Sequence, residues 1–405
     1  MLLGNPASVL EQFFNQNNNV DDFLIANNLV VNGQLTQPIN FTGHSLGGYL
    51  ALMTSYKYSA SFGQTFTYNS LGINPVENFW EEVKSTFLGH PLDEAKIHNY
   101  FADKGWEGAS HPALSRPGGQ EPIFIEEYDG VADVTFENHS IARLVKSLSV
   151  YRVLATLSPN LETDAGLEFI YGILDAASNT PDQSLEAIID KLGNLLGGNL
   201  ALLTNKSDIE LFYQEIVDQA KTYDIETIPG SIAQLATQNT DEGRGYRYAL
   251  VNLLPFAITS NLAGTAAADS KYDADNFTQE YLADRAQMLE LLITRNMADI
   301  TTSNSLDTNL DDALYIDHVT NLKLTTGAIS LIGVTDTTNR IYFGDDAGNG
   351  TTLGFESGKG DDRLYSMGGE DTLHGGEGSD HIEGNADKCS RYYSAVLTSR
   401  YSRAA

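Results

Sequence analysis

A single cysteine, Cys389, stands among the 405 residues. No intrachain disulfide can form, so stability must come from packing or from something bound, such as metal ions. Long apolar runs are also missing, and no stretch approaches the roughly 18 residues of a membrane-spanning helix. The opening Met1-Leu2-Leu3-Gly4-Asn5-Pro6 lacks the charged start and apolar run of a Sec-type signal, so export would need another route. Basic residues are scarce: 24 Lys and Arg against 54 Asp and Glu, a formal net charge of -30. Such a surface does not neutralise phosphates, which argues against nucleic acid as a partner and against docking on anionic lipid by charge alone. Apolar content is ample, at 41% hydrophobic and 10% aromatic, which sets wholesale disorder aside.

At roughly 150 residues per domain, the length corresponds to two or three domains. Composition divides the chain into four zones. Residues 1–158 alternate short β-branched or aromatic runs with amphipathic helices, as an α/β layer fold does. Residues 159–335 read as mostly helical. Thr180-Pro181-Asp182-Gln183 forms a capping box with proline at the first helical position. Leu185, Ile188, Ile189, Leu192, Leu195 and Leu196 then repeat at helical spacing up to Gly197-Gly198. A second helix is predicted from about Gln279 to Ile300. Residues 336–387 are rich in glycine and aspartate. Residues 388–405 form an atypical basic tail with Lys388, Arg391, Arg400 and Arg403 and no acid.

Gly43-His44-Ser45-Leu46-Gly47-Gly48 fits the G-x-S-x-G nucleophile elbow. The pentapeptide is weak by itself in a glycine-rich chain, and its context strengthens it. Pro38-Ile39-Asn40-Phe41-Thr42 reads as a short strand, and Tyr49-Leu50-Ala51-Leu52-Met53 opens a helix. Glycines flanking a sharp turn remove Cβ groups that would clash, and the turn lifts the serine hydroxyl to a helix N-terminus. The Leu46 N–H would then donate to a developing oxyanion. The plain alternative is an ordinary strand-to-helix turn with a capping serine.

A serine nucleophile needs a base, and the base an orienting acid, in the chain order Ser, Asp or Glu, His. The predicted strand Lys96–Phe101 ends near Asp103, with Glu107 as its competitor. Of the histidines that follow, His98 lies inside that strand and His90 and His111 neighbour prolines on loops. His139 follows a predicted strand at Asp133–Phe136 and precedes an amphipathic helix that would hold its ring, so His139 is the expected base.

From Gly358 the chain falls into nine-residue units. Asp362, Asp371 and Asp380 are spaced nine apart, as are Leu364, Leu373 and Ile382. This is the GGxGxDxUx nonapeptide of RTX proteins, which stacks as a parallel β-roll. Turn carbonyls and carboxylates offer hard oxygen to Ca2+, and a flexible Gly/Asp linker is the alternative. Gly358, Gly360, Asp362, Gly369, Asp371, Gly376, Gly378 and Asp380 are the expected metal residues.

Gly43-His44-Ser45-Leu46-Gly47-Gly48-Tyr49-Leu50-Ala51 resembles the elbow of class 3 lipases. Asn138-His139-Ser140-Ile141 with Ser147-Leu148-Ser149-Val150-Tyr151 resembles the histidine region of lipase-like domains in bacterial RTX exoproteins, and Tyr281-Leu282-Ala283-Asp284-Arg285-Ala286 is similar to their helical middle. The resemblance implies an α/β-hydrolase-like parallel sheet followed by a helical region and a short RTX β-roll. It also implies hydrolysis of a lipid or other acyl ester by Ser45, Asp103 and His139, and export by a type I secretion apparatus to the outside of the cell. With two nonapeptides per turn of roll, half-sites lie 18 residues apart. Asp362 and Asp380 then pair in one Ca2+ site, while Asp371 meets only Leu353 and Cys389. No strand or second oxyanion loop is recognisable before residue 31, so the sheet is expected to be incomplete and the chain a fragment, its repeats cut short by truncation or a frameshift. A non-catalytic calcium-binding module with a degenerate hydrolase domain is the competing reading, and a peptidase a more distant one.

Overall fold

The computed structural model describes residues 18–73, 90–103, 115–126, 139–179, 183–196, 223–298, 313–326, 334–346, 350–369, 371–384 and 390–392. The chain divides into two compact units, Met1–Tyr151 and Arg152–Ala405.

In the first unit a helix over 18–26 leads into a small antiparallel hairpin, β1 (Val30–Val31) with β2 (Gln34–Leu35). Asn32 and Gly33 turn it, with φ of 53° and 76°. That Asn-Gly pair is a local hairpin signal, so helix and connector alone do not describe the stretch before residue 31.

The main sheet holds β3 (Phe41–His44), β4 (Thr65–Tyr68), β5 (Ile97–Asp103) and β6 (Gly119–Phe124), all parallel and in that order. Register aligns His44 with Tyr68 and Tyr68 with Tyr100, so the carboxyl ends of the strands share one edge. β6 carries Pro122, which sequence pattern disfavours in a strand. It is tolerated because β6 is the outer strand of the four and its proline has no N–H to offer a further neighbour. The strand predicted at Asp133–Phe136 lies outside the described residues. Helix α1 (Leu46–Lys57) covers β3 and β4, burying Leu52 and Tyr56 with Phe62, Ile73 and Ile97. Helix α2 (Ile141–Leu157) follows His139.

The second unit is helical before it is β. Helices α3 (Asp164–Asp175), α5 (Asp241–Val251) and α6 (Gln279–Met297) start on Thr163, Thr240 and Thr278. Each hydroxyl accepts the amide three residues on, which satisfies an otherwise unpaired donor. Helix α4 (Ser184–Leu196) buries the leucines and isoleucines that its spacing singled out. Its predicted cap, Thr180 to Asp182, lies outside the described residues. Strands β7 (Ile225–Thr227) and β8 (Phe256–Ile258) pair antiparallel among these helices. No described helix is long and apolar enough to cross a membrane.

The roll follows. One sheet runs β10 (Leu322–Thr325), β9 (Ala313–Asp317), β11 (Asn339–Phe343), β13 (Arg363–Tyr365), β15 (His381–Glu383). The other runs β12 (Gly350–Glu356), β14 (Asp371–His374), β16 (Ser390–Tyr392). Apart from the antiparallel β9–β10 pair, every pairing is parallel. Ala313 faces Asn339, Ile341 faces Arg363 and Arg363 faces His381, offsets of 26, 22 and 18 residues. The coil thus contracts onto the repeat spacing, and its sheet begins at Ala313, ahead of the glycine-rich zone. Ile316, Tyr342, Leu364, Leu373 and Ile382 fill its interior.

Helix α6 lies across this sheet. Arg285, fully buried, sets its guanidinium 2.8 Å from the equally buried Asp317 carboxylate and 4.7 Å from the Phe343 ring centre. Asp284 pairs with Arg363 at 2.6 Å and accepts the Tyr365 hydroxyl, and Thr278 donates to Glu383.

Candidate functional site

Ser45 stands between β3 and α1 with φ 57° and ψ -120°, a conformation that strains a side-chain-bearing residue by about 1–3 kcal/mol. The surrounding backbone holds it there. Its N–H donates to the Tyr68 carbonyl at 3.0 Å, and its own carbonyl accepts Gly48 at 3.0 Å, Tyr49 at 3.3 Å and Leu71 at 3.2 Å. Close approach explains two of the three glycines. A Cβ on Gly43 would lie 2.1 Å from the Gly47 carbonyl oxygen, and one on Gly48 would lie 2.6 Å from the Ser70 Cβ. Gly47, the last glycine of the pentapeptide, has nothing within 4 Å of its Cβ position, so the required glycine is the next one. The Leu46 amide belongs to the first turn of α1, where helix geometry supplies no acceptor.

His139, 95 residues after His44, sits beside this turn. Its carbonyl lies 2.9 Å from Nε2 of His44, and the two imidazole centres are 5.0 Å apart. His44, unassigned from sequence, thus ties the histidine loop to the residue next to Ser45. Behind the loop, Arg143 donates to the Glu126 carbonyl at 2.6 Å and Lys146 pairs with the buried Glu126 carboxylate at 2.9 Å, fastening α2 to the end of β6.

Asp103 is the last residue of β5 and is exposed; its carbonyl accepts the Ile125 amide at 3.4 Å. One strand separates β5 from β3, so at about 4.8 Å per strand the two strands run roughly 10 Å apart, a gap an imidazole can bridge. Burial, with the Asp103 charge adding to it, raises the pKa of the neighbouring Tyr151 phenol, while the Phe124 amide donating to that hydroxyl acts the other way. The sequence placed Tyr151 only within the resemblance around His139 and gave it no role of its own. Glu107 and His111 lie outside the described residues. His98 stacks on Phe66 at 5.2 Å, which gives its ring a packing role, and the His90 carbonyl accepts the Ser59 hydroxyl.

The roll brings a second set of groups together. Asp362 and Asp380 stand at equivalent places on successive turns, and the Asp362 amide donates to the Asp380 carboxylate at 3.0 Å. Asp362 is fully buried and accepts the amides of Arg340 at 2.6 Å and Gly358 at 3.1 Å. A Cβ on Gly376 would fall 2.3 Å from the Gly358 carbonyl oxygen, and one on Gly378 would fall 2.2 Å from that of Gly360. Only glycine permits turns to stack so closely that their carbonyls line one gap. Gly369 (φ 87°) and the buried Asp371 occupy the opposite edge. There the pairing of β12 with β14 slips between Gly350 and Phe355, so Gly350, rather than the expected Leu353, faces Asp371. Cys389 lies outside the described residues.

Residues 356–388 match the RTX calcium-binding nonapeptide repeat, in four copies. These are RTX repeats. Such repeats bind Ca2+, and the turns here fit that ion. Burial pushes the Asp362 carboxyl up to about 6, with the neighbouring Asp380 charge adding to the rise. A divalent cation among hard oxygens would offset that cost. Among the described residues no three acidic, histidine or cysteine side chains converge as a metal cluster. Neither the curated proteins nor the solved structures contain a match to the chain.

Proposed function

We propose that the protein is a secreted serine ester hydrolase, lipase- or phospholipase-like, with an α/β-hydrolase fold in its first unit and a calcium-stabilised RTX roll in its second. One observation carries the catalytic reading: the strained Ser45 backbone at a strand-to-helix turn, with His139 beside the same turn. In this reading the Ser45 Oγ attacks the acyl carbonyl while His139 takes its proton. The tetrahedral oxyanion forms against the Leu46 amide. Its collapse expels the alcohol, which leaves with the proton from His139, and water then releases the acid by the same steps in reverse roles. Asp103 orients the imidazole and stabilises its cationic form. Export by a type I apparatus accords with the RTX repeats, which characterise proteins secreted by that route.

Labelling with a fluorophosphonate probe tests the reading. In calcium, the wild-type chain should label at Ser45, and Ser45→Ala should abolish the labelled peptide. His139→Asn should slow labelling by about 10^3-fold or more, the scale of losing a triad base. A folded wild-type chain that fails to label would end the proposal.

A further inference from the structure

The register of the roll assigns one slot to residues 340, 362 and 380, because Ile341 faces Arg363 and Arg363 faces His381. Two of the three are the expected aspartates. The first is Arg340.

The turn ending at Arg340 otherwise stacks on its neighbour as the RTX turns do. A Cβ on Gly358 would fall 2.1 Å from the Asp336 carbonyl oxygen, and one on Gly360 would fall 2.6 Å from that of Thr338. These are the same approaches that Gly376 and Gly378 make to Gly358 and Gly360 one turn later. The latches also repeat. Asp362 accepts the Arg340 amide as Asp380 accepts the Asp362 amide, and Asp361 donates to Asn339 as Ser379 donates to Asp361. The two gaps therefore have the same wall.

What fills the first gap differs. The Arg340 guanidinium folds back into its own turn, donating from Nη1 to the Thr338 carbonyl at 3.1 Å and from Nη2 to the Thr335 carbonyl at 3.0 Å. Nη1 lies 2.5 Å from the point a Gly358 Cβ would occupy, which places it between the turns. Among the described residues no cationic side chain reaches the Gly358 and Gly360 carbonyls in the second gap.

We propose that Arg340 is a built-in substitute for Ca2+: its guanidinium enters the gap between the turns and takes the Thr338 carbonyl, the counterpart of Gly360, together with the Thr335 carbonyl at the start of the same turn, so the roll begins on a turn that needs no calcium. A guanidinium suits the task, since it is always charged and its donors spread in a planar fork over several acceptors. The first turn then serves as a preformed edge on which the calcium-dependent turns assemble.

Two variants test this. Arg340→Gln removes the charge and most of the donors. In chelator, the Lys359 and Asp361 amides, which bond to the first turn, should exchange hydrogen about tenfold faster than in wild type, the scale of losing one charge-assisted bond. Arg340→Asp restores the aspartate slot. It should bind one more Ca2+ per chain than wild type by equilibrium dialysis, and regain the protection in calcium that it loses in chelator. Unchanged exchange in Arg340→Gln overturns the proposal. So does an Arg340→Asp chain that binds no more Ca2+ than wild type.

Discussion

The four-stranded sheet of the first unit and the roll of the second both use parallel strands and place tight glycine turns at strand ends, yet the turns do opposite things. In the sheet a single turn is compressed at the carboxyl edge, where Ser45 holds a strained backbone conformation. Its strain is borne by a conventional apolar core under α1. In the roll the compression recurs from one described turn to the next and presents carbonyls in place of a side chain. Strands β13 and β15 are three residues long, and each contributes one aliphatic residue to the interior. So thin a core leaves the roll dependent on charge: an ion between aspartate turns, Arg340 at the first turn, and α6 clamped across the sheet by the buried Arg285–Asp317 pair and the half-exposed Asp284–Arg363 pair. One region is held by hydrophobic burial, the other by placed cations.

Chelation should expose that difference most strongly. Removing Ca2+ should release the β13 and β15 amides to hydrogen exchange, while the Ser45 and Asn69 amides, bonded across the four-stranded sheet, keep their protection. Equal loss in both regions would break the comparison. Next in size is the clamp. Arg285 and Asp317 are both fully buried, so Asp317→Ala strands a guanidinium away from water and should cost about 3–5 kcal/mol, seen as a lowered denaturation midpoint of the second unit. A near-neutral result would mean that packing of α6, rather than its charges, secures the roll.

What the sequence made legible was local. The elbow is five contiguous residues, and the roll interior repeats every nine, so Ser45, Leu364, Leu373 and Ile382 could be named without coordinates. Register is a long-range property and was not legible. The offsets of 26 and 22 residues that bring β9 and β11 into the roll match no repeat. Thr338 and Arg340 stand where glycine and aspartate would have marked a turn. Pro122 hid β6, and only the folded chain sets His44 against His139. The expectation that Leu353 would face Asp371 failed for the same reason, since a slip in pairing leaves no mark on composition.

The smallest effects separate pattern from physics at the elbow itself. As a motif, Gly43 and Gly47 are equivalent anchors either side of Ser45. Their surroundings are not. Gly43→Ala drives a methyl against the Gly47 carbonyl, a backbone atom that cannot rotate away. It should cost about 1–3 kcal/mol and displace Ser45, so that probe labelling falls with stability. Gly47→Ala meets open space within a helix, where alanine is favoured over glycine by up to about 1 kcal/mol. It should leave labelling intact and the denaturation midpoint level or slightly raised. If the two variants lose labelling alike, Gly47 serves the substrate or a moving backbone rather than the packing of the turn, and the elbow is less rigid than its hydrogen bonds imply.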